Sequence, residues 1–296
     1  MDSSKTYAEG GKVKIGLALG GGGARGLAHI GVLKVLQGEN IPIDAIAGTS
    51  MGGIIGCLHA SGISVDEMEA EARRVGRRRE QIKLIDPELT GLGLIKGTRL
   101  YRYLANMLGE DLTFADLHIP LALVAVDMLS GREVVLSEGK VVDAIRATIS
   151  VPGIFIPYEI GGLRLVDGGV LNNVPADVAR SLGVQVVIAV DVLPNFPRNE
   201  LSQPPVVPPL RLPGLPTTAQ ELMHILMIMI SELSEDRLRM AQPEVIIRPE
   251  LPTDMGLFIG LGRVDAAITA GEAAAEQAMP QIRQALAQAV DRATAN

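Results

Sequence analysis

The chain has 296 residues, 47% of them hydrophobic and 21% charged, with 33 glycines and no tryptophan; this speaks against disorder and permits a large core in one α/β domain or two. A formal net charge of −7 gives no general attraction to nucleic acid or to an anionic membrane. The single cysteine, Cys57, excludes an internal disulfide, and no apolar run approaches the roughly 18 residues needed to span a bilayer.

Residues 1–12 are polar, lack the apolar core of a signal peptide and read as a flexible tail. The expected location is cytoplasmic, with peripheral contact at a membrane surface. Residues 13–19 then read as a buried strand, followed at once by Gly20, Gly21, Gly22 and Gly23, then Ala24, Arg25 and Gly26. Successive glycines cost conformational entropy, so their use is to bring backbone N–H groups close to a negative charge at a helix N-terminus. A helix is predicted over 25–37, a strand over 43–47 and a helix over 51–61, a βαβα rhythm that signals a parallel sheet.

Between the second strand and its helix stand Gly48, Thr49, Ser50, Met51 and Gly52, a G-x-S-x-G pentapeptide. A serine hydroxyl is a poor nucleophile unless it is presented on a strained turn beside a base. Glycines two residues away on each side ease such a turn, and the helix start adds partial positive charge. Gly52 and Gly56 share a helix face and predict close packing.

Ser64 with Glu67 predicts a capping box for a helix to about Arg74. It leads into Arg73, Arg74, Arg77, Arg78 and Arg79, read as a solvated helix end, with a headgroup-binding patch as the alternative. Thr98 is expected to cap a helix over 99–108. A strand over 120–127 and another over 133–136, joined by a turn at Ser130 and Gly131, predict a hairpin. A helix over 141–149 stops at Pro152 and Gly153. A strand over 163–166 ends in Asp167, Gly168 and Gly169, which places a carboxylate at a strand end with glycines that permit close approach. Asp127 and Asp191 also end apolar strands, but neither precedes a glycine pair.

Asn172 and Asn173 read as the cap of a helix over 175–182, followed by a strand over 184–190. A Pro-rich loop, 193–216, leads to an apolar helix over 218–240, with Met223, Met227 and Met229 in its richest part. Burial in the core is the favoured reading of that part; the alternative is that loop and helix form a lid beside an acyl-chain groove. An Ala-rich helix over 264–293 closes the chain, with Pro280 expected to break or kink it.

The Gly-rich cradle, the G-x-S-x-G elbow and the D-G-G turn, in this order, resemble the three signatures of the patatin-like phospholipases. The resemblance extends over roughly residues 13–275, includes residues 147–153 ahead of the aspartate, and is greatest to compact bacterial members. It implies an α/β fold: a three-layer α/β/α sandwich around a central mostly parallel sheet, in a single domain over 13–296. It further implies Ser50 as acyl-accepting nucleophile and Asp167 as base of a Ser–Asp dyad. Gly21, Gly22 and Gly23 would supply the oxyanion-hole amides, with Arg25 fixing their loop. The implied substrates are phospholipids, lysophospholipids or fatty-acyl esters, with no metal and no cofactor. No clustered ligand set such as H-E-x-x-H or C-x-x-C is found.

Three alternatives remain beside this reading. A Ser–Asp–His order would need His224, the only one of four histidines to follow Asp167, yet it sits in a run suited to packing; His29 and His59 read as core or interface residues and His118 as a loop residue. Gly21, Gly23 and Gly26 also satisfy the dinucleotide fingerprint G-x-G-x-x-G. That reading needs an acidic residue at the end of the second strand, where Gly48 and Thr49 stand instead, with Asp44 at the wrong end. The third alternative is a lipid-binding or regulatory scaffold of the same fold with little activity, which would need neither Ser50 nor Asp167.

Overall fold

Strand β1 (Ile15–Leu19) lies at the centre of an eight-stranded mixed sheet with helices on both faces. The computed structural model of the chain describes residues 13–88, 93–194, 217–252, 254–256 and 260–294. The tail expected over 1–12, and the Pro-rich loop beyond Pro194, lie outside the described residues. The other strands are β2 (Ala45–Thr49), β3 (Leu121–Asp127), β4 (Arg132–Leu136), β5 (Tyr158–Ile160), β6 (Leu163–Asp167), β7 (Val186–Val190) and β8 (Val245–Ile247). The order is β5-β6-β3-β2-β1-β7-β8, with β4 also on β3. Strands β3, β2, β1, β7 and β8 run parallel. This is the implied three-layer α/β/α sandwich.

The helices are α1 (Ala28–Gly38), α2 (Met51–Ala60), α3 (Val65–Val75), α4 (Arg78–Leu84), α5 (Thr98–Leu108), α6 (Val141–Thr148), α7 (Ala176–Ser181), α8 (Thr217–Ala241) and α9 (Val264–Thr294). The central strands are buried along their whole length, so they read as apolar runs rather than as alternations. Pleating sends Ile15, Leu17 and Leu19 into the larger core under α1, α2 and α9. Ala18, Ala47, Ala122 and Ala189 point the other way, to α7 and Leu238 of α8. Small residues on that face bring α7 close to the sheet. On the larger face α1 and α9 meet backbone to backbone, since a Cβ on Gly31 would strike the Ile268 carbonyl and one on Gly271 the Ala28 carbonyl.

Pairing along β3 brings distant strand ends together. Strand β4 occupies residues 123–127 of β3, and β2 pairs with 121–124. These pairings overlap, so β2 and β4 take opposite edges. Strand β6 pairs with 125–127, also opposite β4, and therefore shares the edge with β2. Thr49 faces Val124 and Asp167 faces Ala125. The C-termini of β2 and β6 thus meet one register step apart, and Ser50 follows directly.

Several expectations are corrected. Thr98 is the first helical residue of α5, not its cap; the carboxylate of Asp86 instead accepts from the Gly97, Thr98 and Arg99 amides at 2.8, 2.8 and 3.2 Å. Neither Asn172 nor Asn173 caps α7, whose N-cap is Pro175 without a side-chain bond. Helix α9 runs as one element through Pro280. Helix α4 and the three-residue strands β5 and β8 carry too few residues for a periodic signal. The capping box of Ser64 and Glu67 is present. Residues 222–230 of α8 are not core: Leu222, Ile225 and Met229 are exposed.

Candidate active site

The turn between β2 and α2 places its strain on Ser50 itself, with φ 53° and ψ −123°, a region costly for a residue with a Cβ. The flanking glycines serve contact rather than turn geometry. A Cβ on Gly48 would lie 2.7 Å from the Gly53 Cα, and one on Gly52 would strike the Leu19 carbonyl. Gly56 likewise presses on Ile46 and Leu19 of the sheet rather than on another helix. The start of α2 is thereby seated on the end of β1. The Ser50 amide donates to Thr148 Oγ1 at 3.0 Å, and that hydroxyl donates to the Val124 carbonyl at 2.5 Å. Thr49 Oγ1 donates to the Asn172 carbonyl at 2.9 Å.

Asp167 arrives from the other strand end. Its amide donates to the Ser150 carbonyl at 2.9 Å, and one carboxylate oxygen accepts from the Gly169 amide at 2.8 Å. The approach of this turn to β3 requires Gly168, whose Cβ would strike the Val124 carbonyl. Ser50 and Asp167 both line the same cleft, with Ser50 directly after the end of β2 and Asp167 at the end of β6. Burial pushes the Asp167 carboxyl up to about 6, against the Ser50 side chain and the Gly169 amide, which lower it.

The glycine loop closes the third side. Gly21 donates its amide to the Asn173 carbonyl at 3.1 Å, and Asn173 Nδ2 returns a bond to the Gly21 carbonyl at 3.2 Å. Gly21 is therefore a tether, and its amide is occupied. The amides of Gly22 and Gly23, where a short 3-10 helix (Gly23–Leu27) begins, have no acceptor among the described residues. A Cβ on Gly21 would lie 3.0 Å from the Ser50 Cβ, and one on Gly22 would lie 2.7 Å from Val192 Cγ2. Side chains there would push the loop off the elbow. Arg25 is buried and holds the loop by donating to the Val192 carbonyl at 2.6 Å and the Met255 carbonyl at 3.4 Å. From below, His29 Nε2 meets the Gly20 carbonyl at 2.7 Å.

A narrow cleft opens above these groups. Gly21, Gly22, Ser50, Asp167, Gly169 and Asn173 form its floor, and Met223, Leu226, Met227 and Ile230 of α8 form an apolar wall. It lies at the C-terminal ends of β1 and β2, where neighbours of β1 depart in opposite directions, the usual crevice of open α/β sheets.

A sequence profile of the family described as patatin-like phospholipase matches residues 17–180. The chain belongs to the patatin-like phospholipase family. An uncharacterized NTE family protein of Mycobacterium tuberculosis is 36% identical over 179 residues, 60% of this chain and 49% of that protein. Patatin-like phospholipase domain-containing protein 6 of Homo sapiens is 35% identical over 182 residues, 60% of this chain and 13% of that protein. The chain thus spans about half, or less, of the length of these curated relatives. VipD from Legionella pneumophila, a solved structure, aligns with a TM-score of 0.56 at 14% identity, over 93% of this chain and 69% of that one, a likeness of fold.

Of the expected site residues, Ser50, Asp167, Gly21, Gly22 and Gly169 line one cleft, and Gly23, Arg25, Gly48, Gly52 and Gly168 stand within three residues of them along the chain. Asp127 is elsewhere, accepting from the Ser130 hydroxyl at 2.6 Å and the Arg164 amide at 3.1 Å. Asp191 accepts from the Leu193 amide at 3.1 Å and meets Arg248 at 3.4 Å. Asp44, the acid a ribose would require, holds the Ile15 amide at 2.9 Å at the other end of the sheet. His224 is not among the cleft-lining residues. Thr148, Ser150 and Asn173 had no reading as site residues, although Thr148 and Ser150 lie in the segment 147–153 that shares the family resemblance. Arg146, also overlooked, is fully buried and donates to Ser150 Oγ at 2.6 Å, the Lys96 carbonyl at 2.7 Å and the Ile156 carbonyl at 3.1 Å. Among the described residues no helix is long and apolar enough to cross a membrane.

Proposed function

We propose that the chain is a serine acyl hydrolase that cleaves carboxylic ester bonds of lipids through Ser50 and Asp167. The observation that carries this reading is that a strained serine and a buried carboxyl, brought together at strand ends one register step apart, line one cleft. Acyl transfer needs a nucleophile, a proton acceptor in reach, and donors aimed at the developing oxyanion. Above pH 6 the Asp167 carboxylate is ionised and can take the Ser50 proton as Oγ bonds to the ester carbonyl carbon. The carbonyl oxygen becomes an oxyanion, facing the Gly22 and Gly23 amides. Collapse expels the alcohol, which recovers the proton from Asp167, and leaves an acyl-serine. Water then attacks the acyl carbon as it gives a proton to Asp167, and collapse breaks the bond to Ser50 Oγ, which recovers that proton as the fatty acid leaves.

The wall of Met223, Leu226, Met227 and Ile230 suits an alkyl chain, since thioether side chains adapt to irregular apolar shapes. Phospholipids, lysophospholipids and simpler acyl esters all fit this chemistry. A panel of p-nitrophenyl esters and phospholipids, assayed on the parent protein and on Ser50→Ala, tests the proposal. Hydrolysis lost in the variant supports it; hydrolysis retained there assigns the chemistry to another group.

A further inference from the structure

Helix α8 changes character at Ser231. From there to Ala241 it is tied down: Ser231, Ser234 and Leu238 are buried, and Arg237 bridges to Glu133 at 3.0 Å and Asp177 at 3.3 Å. Upstream, residues 222–230 contain no Asp, Glu, Lys or Arg. One row of that segment lines the cleft. An adjoining row faces outward, with Leu222, Ile225 and Met229 at 67%, 52% and 62% exposure. A helix apolar on every side is ordinarily buried, and an exposed apolar row of this kind marks a contact surface.

A second exposed patch lies on α4 and the turn after it. Arg78 and Ile82 are one turn apart on α4, and Ile85 follows at the next turn; Ile82, Ile85 and nearby Leu94 are all exposed. Arg77 and Arg78 make no ion pair among the described residues, whereas Arg73 and Arg74 are bridged to Glu69, Asp265, Glu71 and Glu80. A run of contacts leads from Leu94 to the cleft side of α8. The Leu94 amide donates to the Ile154 carbonyl at 2.8 Å, and Ile95 pairs with Phe155. A Cβ on Gly153 would lie 3.9 Å from Met223 Cε, and Pro152 lines the cleft.

We propose that this belt, the outer row of α8 with the basic and apolar face of α4, is a docking surface for an anionic lipid bilayer. Apolar side chains flanked by unpaired cations match the interface of a leaflet, where alkyl groups enter and guanidinium groups remain at the headgroups. The chain is acidic overall, so the attraction is local to Arg77 and Arg78 and does not come from net charge. Continuity with the cleft decides for lipid over a protein partner. Whatever covers the outer row of α8 sits at the mouth walled by its inner row, and a leaflet supplies the acyl chains that such a wall accepts. The inference rests on the acyl-hydrolase reading and deepens it: the substrate is drawn from a membrane phase.

The test uses Ser50→Ala protein, so that no lipid is consumed, and sedimentation with vesicles of phosphatidylcholine alone or mixed equally with phosphatidylglycerol. The protein is expected to bind the mixed vesicles. Arg77→Gln with Arg78→Gln weakens that binding by about thirtyfold at low salt and leaves binding to pure phosphatidylcholine unchanged. Ile225→Glu with Met229→Glu weakens binding to both vesicles. In parallel, the same substitutions with Ser50 intact retain hydrolysis of soluble p-nitrophenyl butyrate, which shows the fold and cleft preserved. No binding to mixed vesicles, or binding indifferent to both pairs of substitutions, overturns the surface. So does a dimer that the Ile225 and Met229 pair converts to monomer in a protein that ignores vesicles. Vesicle binding by a Ser50 protein that hydrolyses no ester leaves the surface standing and strikes down the enzymatic reading instead.

Discussion

The amide of Ser50 donates to the side chain of Thr148, 98 residues away, at 3.0 Å. The same Thr148 hydroxyl donates to the Val124 carbonyl at 2.5 Å, where the strand pairing passes from β2 to β6. One hydroxyl therefore fixes the strained elbow to the strand that aligns Asp167. Thr148→Val keeps the volume and removes both bonds. Leaving buried polar groups unpaired costs about 1–3 kcal/mol, so a lower Tm is expected together with reduced kcat, while Thr148→Ser retains both. Unchanged kcat in the valine variant would show that the elbow holds without this bond.

Asp167 is held at a cost. Its carboxyl is raised from 3.8 to about 6, so the folded protein binds that proton more tightly than the unfolded chain does. The stabilising effect of protonation is complete below pH 3.8 and is lost as pH rises through 6. About two pKa units correspond to roughly 3 kcal/mol of destabilisation at pH 8. Asp167→Asn should abolish ester hydrolysis and raise Tm at pH 8, with a smaller gain at pH 5. A variant that loses stability equally at both values would contradict a buried, charged carboxylate.

The same raised carboxyl sets the pH profile. In the free enzyme kcat/KM is expected to climb through an apparent pKa near 6, as Asp167 becomes able to accept a proton. His224→Ala should leave both the rate and the profile in place. A large loss of rate in that variant, with the fold intact, would install a histidine in the proton path.

The amides of Gly22 and Gly23 carry the oxyanion assignment, and Gly22 can be tested without touching a reacting side chain. Gly22→Val drives a side chain into Val192 and displaces the loop. Loss of an oxyanion donor costs about a hundred- to a thousandfold in kcat, and that loss is expected with a smaller change in KM. A variant that folds and keeps its kcat would move the oxyanion site elsewhere.

How far the site could be read in advance depended on distance along the chain. Ser50, the glycine loop and Asp167 are legible because each demands an unusual local sequence. Thr148, Ser150 and Asn173 are ordinary small polar residues whose role exists only after β2 and β6 meet on β3. The asparagine pair resembled a helix cap for the same reason, since nothing local shows Asn173 reaching 152 residues back to Gly21. Helix α8 was misjudged on apolar density, which does not distinguish a buried helix from one that lines a cleft along one row and is bare along the next. Asp86 replaced the expected Thr98 cap from a preceding turn, a contact set by tertiary structure.

The most direct measurement is the intact mass of the protein quenched in acid during turnover of a slow p-nitrophenyl ester, followed by peptide mapping. The account predicts an acyl adduct on Ser50 that accumulates with a burst of p-nitrophenol and is absent from Asp167→Asn. Steady hydrolysis without an adduct on Ser50, or an adduct that forms at the same rate in Asp167→Asn, would contradict it.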